Sequence, residues 1–201
     1  MKKIHFITGW FFIFVLALGM ISPVFANESQ NDLYDKYVEI AKKLSEQYDA
    51  EITLEPFGTF DMQQAGTLEE FEDHLYAIGA LITQEMTVTS TTAGNSCTGI
   101  AQADYGSAHM YVAVTGEFVT EYDLDRNSQV MVDAEFSTKS HSAGYTWTTS
   151  EENHTFYDGG KECVYAASGT IGLPGGGKWS NAEISVTFFC NAKGKITAGA
   201  G

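Results

Sequence analysis

The chain has 201 residues, 44% of them hydrophobic, and sets 26 acidic against 11 basic residues for a formal charge of −15. A surface this acidic repels phosphate backbones and anionic membranes, and the basic residues form no cluster. Nucleic-acid binding and bulk electrostatic adsorption to membranes are therefore excluded, while loosely held divalent cations are compatible with it.

The first 26 residues read MKKIHFITGWFFIFVLALGMISPVFA. Two lysines precede an apolar run, Pro23 breaks it, and Val24 and Ala26 supply the small residues that a signal peptidase needs. This predicts a signal peptide at 1–26, cleaved after Ala26, and a secreted, extracellular product. The apolar run is short for a membrane span. No later stretch is apolar enough to cross a bilayer, so no transmembrane segment is expected after cleavage. The segment holds Lys2 and Lys3 and no acid, so the remainder is more acidic still.

Residues 27–85 read as a helical N-terminal segment. Leu33, Tyr37, Ile40, Ala41 and Leu44 recur at helical spacing and predict an amphipathic helix over 32–48. AEITLEP is a short extended piece stopped by Pro56. Thr67 followed by Glu70 is a capping box, which opens a second amphipathic helix with Leu68, Phe71, Leu75, Ile78 and Ile82 on one face. Residues 86–96, rich in Ser, Thr and Gly, are a linker or an edge strand.

From 97 to 201 the text is β. Six strands are expected, over 98–103, 109–122, 129–137, 145–149, 162–173 and 180–190, with turn residues between them. In VMVDAEF the alternation puts Val130, Val132, Ala134 and Phe136 on one face. The fold class is α+β: two N-terminal helices, then an antiparallel β-sandwich or open barrel of about six strands.

Several motifs need weighing. Asp123, Asp125 and Asn127 place oxygens at alternate positions, as a calcium loop does. Ser128 replaces the glycine of the sharp turn, however, so a polar hairpin tip competes with a weak calcium site. GLPGGGKWS has the glycines and Lys178 of a phosphate-binding loop. Trp179 stands at the magnesium position and strand text lies on both sides, which makes it a hairpin tip. LPGGG lacks the threonine of a sortase signal. His74, His109, His141 and His154 show no metal-ligand spacing. Tyr145, Trp147, Tyr157 and Trp179 are candidate surface aromatics for stacking a sugar, with core packing as the alternative. No nucleophile elbow, catalytic cysteine context or cofactor signature is present, so neither a catalytic residue nor a cofactor is expected.

The stretches ITLEPFGTFDM, TLEEFEDHL, YDLDRNSQV, SGTIGL and TFFCNAKGKIT resemble a loose set of small secreted proteins of Gram-positive bacteria. The resemblance covers most of the chain after the signal segment. It implies no activity and no residue roles.

Three cysteines in an exported chain leave one thiol over. A Cys163–Cys190 disulfide across the glycine hairpin would oppose Tyr165 to Phe188, Ala167 to Val186, Gly169 to Ile184 and Ile171 to Ala182, an apolar face. This bridge is expected, with Cys97 free or paired between chains. Cys97–Cys190, or three buried unpaired thiols, are the alternatives. The functional expectation is a secreted bacterial protein without catalytic activity, its β-sandwich presenting a surface to an unknown extracellular ligand or protein. A membrane-active effector and an extracellular hydrolase are the rivals.

Overall fold

The computed structural model describes residues 29–140, 142 and 144–199. The predicted signal segment and His141 lie outside them. The chain runs α1 (Gln30–Tyr48), β1 (Glu51–Leu54), α2 (Met62–Ala65), α3 (Leu68–Ile82), β2 (Thr87–Ala93), β3 (Ser96–Tyr105), β4 (Ala108–Asp123), β5 (Ser128–Ser140), β6 (Thr146–Tyr157), a 3₁₀ turn (Asp158–Gly160), β7 (Glu162–Gly172), β8 (Gly177–Cys190) and β9 (Ile196–Gly199).

Both long helices start at capping boxes. Thr67 Oγ1 accepts from the Glu70 backbone N–H at 3.2 Å, and Glu70 Oε2 accepts from the Thr67 N–H at 2.7 Å. Those hydrogen bonds hold the Glu70 carboxyl below its usual range. Ser29 and Asp32 form the same box at the head of α1, a start that apolar spacing alone did not reveal. Thr67→Ala should lower stability by about 1 kcal/mol in chemical denaturation, as loss of an N-cap does. A silent substitution would mean that the cap carries no weight.

The helix faces fall close to the expected ones. On α1, Tyr37, Ala41 and Leu44 are buried, while Leu33 and Ile40 are half-buried. On α3 Phe71, Leu75, Ile78 and Leu81 are buried together with Ala77 and Gly79, and Leu68 and Ile82 lie at the margin. Full burial of each large apolar side chain among them is worth roughly 1.5–3 kcal/mol. Tyr37 ties the helices together: its ring meets Phe71 edge-on at 5.2 Å and Phe60 at 5.3 Å. Buried hydrophobic residues of the helices and of both sheets join in one core.

Among the described residues nine strands form two antiparallel sheets in a sandwich-like α+β fold, where about six strands were expected. One sheet runs β1-β8-β7-β6, with β9 also on β8; the other runs β2-β3-β4-β5. The six expected strands correspond to β3–β8. The extended piece before Pro56 is β1, which pairs with the start of β8. The Ser/Thr-rich stretch is the edge strand β2. The strand β9, which lies beyond the six expected strands, pairs with the end of β8.

The sheets meet face to face. Phe188 of β8 lies 5.1 Å from Phe118 of β4 and 5.5 Å from Phe136 of β5. Gly99 marks a close approach, since a Cβ there would stand 2.8 Å from both Val186 and Ala198. Helix α3 packs on β3 and β4. Its Asp73 accepts from the Ser107 N–H in the β3–β4 turn at 2.9 Å, and Tyr76 stacks on Tyr105 at 4.6 Å.

One expected alternation fails. Val132 is 43% exposed, while Met131 is buried with Val130. The β4–β5 register slips between Val119 and Thr120, which oppose Asp133 and Met131. Val132 is thus the extra residue of a β-bulge, which reverses the facing of the strand on either side of it.

The glycine hairpin is real, but its register differs from the cysteine-based one. Cys163 faces Phe188, Tyr165 faces Val186, Ala167 faces Ile184 and Gly169 faces Ala182. The shift is two residues, which keeps every side chain on its predicted face. All three cysteines are free and buried, so the expected Cys163–Cys190 bridge is absent. Residues diagonal across a ladder sit about 7–8 Å apart, beyond ordinary disulfide reach. The register is decided elsewhere. A second slip sets Ile171 against Trp179, and Asn181 takes the left-handed conformation with φ 56°. The turn itself is pinned when Asp61, at the head of α2, donates its N–H to Gly175 O at 2.7 Å.

Candidate functional site

The positions singled out in the sequence do not converge. Trp179 is fully buried and packs on Tyr48 with ring centroids 5.6 Å apart. Tyr145 is also buried, and its hydroxyl bonds His74 Nδ1. Burial pushes the Tyr145 phenol up and the His74 imidazole down, so the bond favours two neutral groups. Trp147 is half-buried, and Tyr157 is 51% exposed. No sugar-stacking platform forms from these four, because Trp179 and Tyr145 serve the core.

The candidate calcium loop is a hairpin tip. Asp123 Oδ1 accepts from the Asp125 and Arg126 backbone N–H groups at 2.9 and 3.1 Å, and Oδ2 accepts from the Arg126 guanidinium at 3.2 Å. The Arg126 backbone bond leads the causes that hold this carboxyl low. Asn127 sits at φ 50° and its side-chain oxygen accepts from the Tyr122 hydroxyl. The oxygens are thus used for turn geometry. Among the described residues no cluster of His, Cys, Asp and Glu is arranged to hold a metal ion.

The cysteines are poor nucleophiles where they stand. Burial raises the pKa of all three, Cys163 to about 11. At neutral pH they are protonated thiols inside the core.

A different constellation does converge. The strands β5 and β6 are consecutive and lie side by side, yet each is the edge of its own sheet. The seam between them is closed at two ends. Near the connection, the Trp147 indole N–H donates to Thr138 Oγ1 at 3.1 Å and Thr149 Oγ1 at 2.9 Å, and those hydroxyls bond each other at 2.7 Å. At the far end, Arg126 donates to Gly159 O at 3.3 Å and Lys161 Nζ donates to Gln129 O at 2.6 Å.

Between these closures the sheets part. A cleft of about 400 Å³ opens there, lined by Ala134, Glu135 and Phe136 of β5, Glu152, Asn153 and His154 of β6, and Tyr165 of β7. Its volume lies within the range of small-ligand sites. The β6–β7 pairing sets Glu152 beside Ala167, His154 beside Tyr165 and Phe156 beside Cys163. These three β6 residues therefore share the face that looks between the sheets.

The chemistry of the cleft is an acidic group within an aromatic wall. The Tyr165 hydroxyl, on a residue 1% exposed, donates to Glu152 Oε2 at 2.7 Å. Burial, then Glu152, pushes the Tyr165 phenol up, so it remains a donor. This bond fixes the position of the exposed Glu152 carboxylate. The Phe136 ring lies 4.6 Å from Tyr165 and 5.2 Å from His154, which in turn meets Phe156 at 5.5 Å.

The rim is acidic too. Glu117 and Glu135 stand directly opposite each other on β4 and β5, and Val119 opposes Asp133. Like charges in directly opposed positions destabilise a sheet unless something neutralises them. A shallow hollow holds Glu117, Asp133 and Glu135 and shares Ala134 and Glu135 with the cleft. The whole region suits a cation: carboxylates accept its hydrogen bonds, and ring faces attract its charge.

Sequence reasoning missed this site because it ended the fourth expected strand at Thr149. Residues 150–155, SEENHT, include no apolar residue that would have extended the alternation. The usable signal was Glu152, His154 and Phe156 at a spacing of two.

Comparison of the chain with protein-family models, with curated proteins and with solved structures finds no match.

Proposed function

We propose that the chain is an exported, non-catalytic binding protein and that the β5–β6 cleft takes a cationic ligand. Export rests on the N-terminal sequence. Among the described residues no helix is long and apolar enough to cross a membrane. Binding rests on one observation above the rest: the two sheets separate where Glu152, held by a buried tyrosine, faces a wall of aromatic rings. The surplus of acidic residues draws cations toward such a cleft from a distance.

The same geometry argues against hydrolysis. The three thiols are buried and protonated. Glu152 already accepts a hydrogen bond from a tyrosine whose proton is tightly held, an arrangement that places charge rather than one that relays a proton.

The test is calorimetric titration of the protein, expressed from the full sequence, with tetralysine. Saturable, salt-sensitive binding is expected. Glu152→Gln should weaken it roughly tenfold, since a charge-assisted hydrogen bond is replaced by a neutral one. His109→Gln, on the distant β3–β4 hairpin where His109 pairs with Asp104, should leave it unchanged. Absence of saturation, or equal loss in the two variants, rejects the cleft as the site.

A further inference from the structure

We infer that the cleft's ligand is an extended peptide with basic residues at alternate positions, bound as an added strand on the free edge of β6. This rests on the binding reading of the same cleft and goes further by naming the ligand's backbone as a recognised element.

The first argument is the backbone. Strand β6 pairs with β7 along one side only, and β5, its neighbour across the seam, belongs to the other sheet. Between the Thr138–Thr149 closure and the Lys161–Gln129 closure, its outward N–H and C=O groups have no ladder partner among the described residues. An open strand edge is a template for a further strand, and main-chain hydrogen bonds then supply affinity. Closure at both ends limits the paired stretch to about residues 151–156 and sends the ends of the peptide outward. The seam does not zip up by itself because the Val132 bulge and a register slip between Thr149 and Glu151 disturb the two edges.

The second argument is side-chain alternation, which gives such pairing its specificity. On the cleft side β6 offers Glu152, His154 and Phe156; on the outer side it offers Glu151, Asn153 and Thr155. An added strand thus meets a carboxylate and aromatic rings on one face. On the other it meets Glu151 and a polar trough that also holds Ser168, Glu183 and Ser185. Glu135 stands on the opposite rim. A peptide with basic side chains on alternate positions neutralises carboxylates along the face it turns to them. An acidic peptide meets like charge on both faces.

The third argument separates a peptide from a small cation. Glu152 and Glu135 line the cleft while Glu151 lies on the outer face of β6, and the alternating side chains of an added strand reach both faces. A compact cation spans only one of them.

The experiment compares a short peptide alternating lysine with valine against two analogues methylated at every second backbone nitrogen, one in each phase. Methylation keeps the charge and removes donors from one edge of the strand. Strand pairing predicts that one phase loses roughly tenfold or more in affinity while the other binds about as well as the parent. It also predicts slowed hydrogen exchange at β6 amides within 151–156 when the parent peptide binds. If both analogues match the parent, or lose equally without β6 protection, strand pairing is wrong and the cleft is a cation site alone. If no peptide binds while tetralysine does, the alternating-strand inference falls and the binding reading stands. If tetralysine also fails to bind, the reading of the cleft falls with it.

Discussion

Trp179→Ala is expected to remove about 3–5 kcal/mol of stability, the range for deleting a buried tryptophan side chain. Whole domains are stable by only about 5–15 kcal/mol, so this single change consumes a large share. The ring is 0% exposed and packs against Tyr48, whose own ring lies over Gly79 of α3. It also sits opposite Ile171 at the register slip of the glycine hairpin. Removing it leaves a cavity where α1, α3 and the five-stranded sheet meet. Its indole N–H has no hydrogen-bond partner among the described residues, so Trp179→Phe forfeits area without breaking a hydrogen bond and should cost distinctly less. Tyr157→Ala, at an exposed position, should stay within about 0.5 kcal/mol. Urea denaturation of the three variants checks the order. A near-neutral Trp179→Ala would place this tryptophan on the surface, where its sequence alone also allowed it to be.

Gly177→Ala is the second large effect. The residue has φ 126°, a conformation that an L side chain rarely adopts. An added Cβ would stand 2.5 Å from Thr53 O and 2.9 Å from Leu54 Cα. Both are backbone atoms of β1, which pairs with β8 at this glycine, so no side-chain rotation relieves the contact. Strain of this kind costs about 1–3 kcal/mol, and displacement of β1 adds the loss of its ladder. Gly94→Ala is the control. It too has positive φ, 63°, but an added Cβ there meets nothing within 4 Å. Its cost should be the conformational one alone, about 1–2 kcal/mol. Gly177→Ala should therefore unfold at a clearly lower temperature than Gly94→Ala. Equal melting temperatures would mean that the approach of β1 to the hairpin has no energetic weight.

The two substitutions bear on the candidate site through the sheet that carries it. Strand β8 holds β7, and β7 holds both β6 and Tyr165. If Trp179 or Gly177 is changed and the chain still folds, cation binding at Glu152 should persist, because neither residue lines the cleft. Changes in stability and changes in binding are thus separable.

The elements legible in the sequence were those whose signal lies within one segment. Helical spacing located α1 and α3, and the Thr67–Glu70 box marked the start of the second. Alternation located β3 to β8, and strand text on both sides of the glycines identified the hairpin against a phosphate-binding loop. These inferences succeed because periodicity follows from the geometry of a single chain: 3.6 residues per turn in a helix, two per repeat in a strand. The two faces of the β7–β8 hairpin were read for the same reason.

What depends on separate segments meeting was decided only by the tertiary structure. A two-residue register shift leaves both faces of a hairpin intact, so the hydrophobic pattern cannot detect it. The contact from α2 to Gly175 and the slip beside Asn181 select the register, and they leave Cys163 facing Phe188 with every thiol free. The Val132 bulge arises in the pairing of β5 with β4 and reverses an alternation that was regular on paper. Trp179 and Tyr145 carry polar tips and aromatic bodies that suit a surface or a core equally, and only the packing of α1 and α3 buries them. The cleft is the furthest from sequence. It exists because two consecutive strands join different sheets and fail to close the seam between them, and that failure belongs to no single strand.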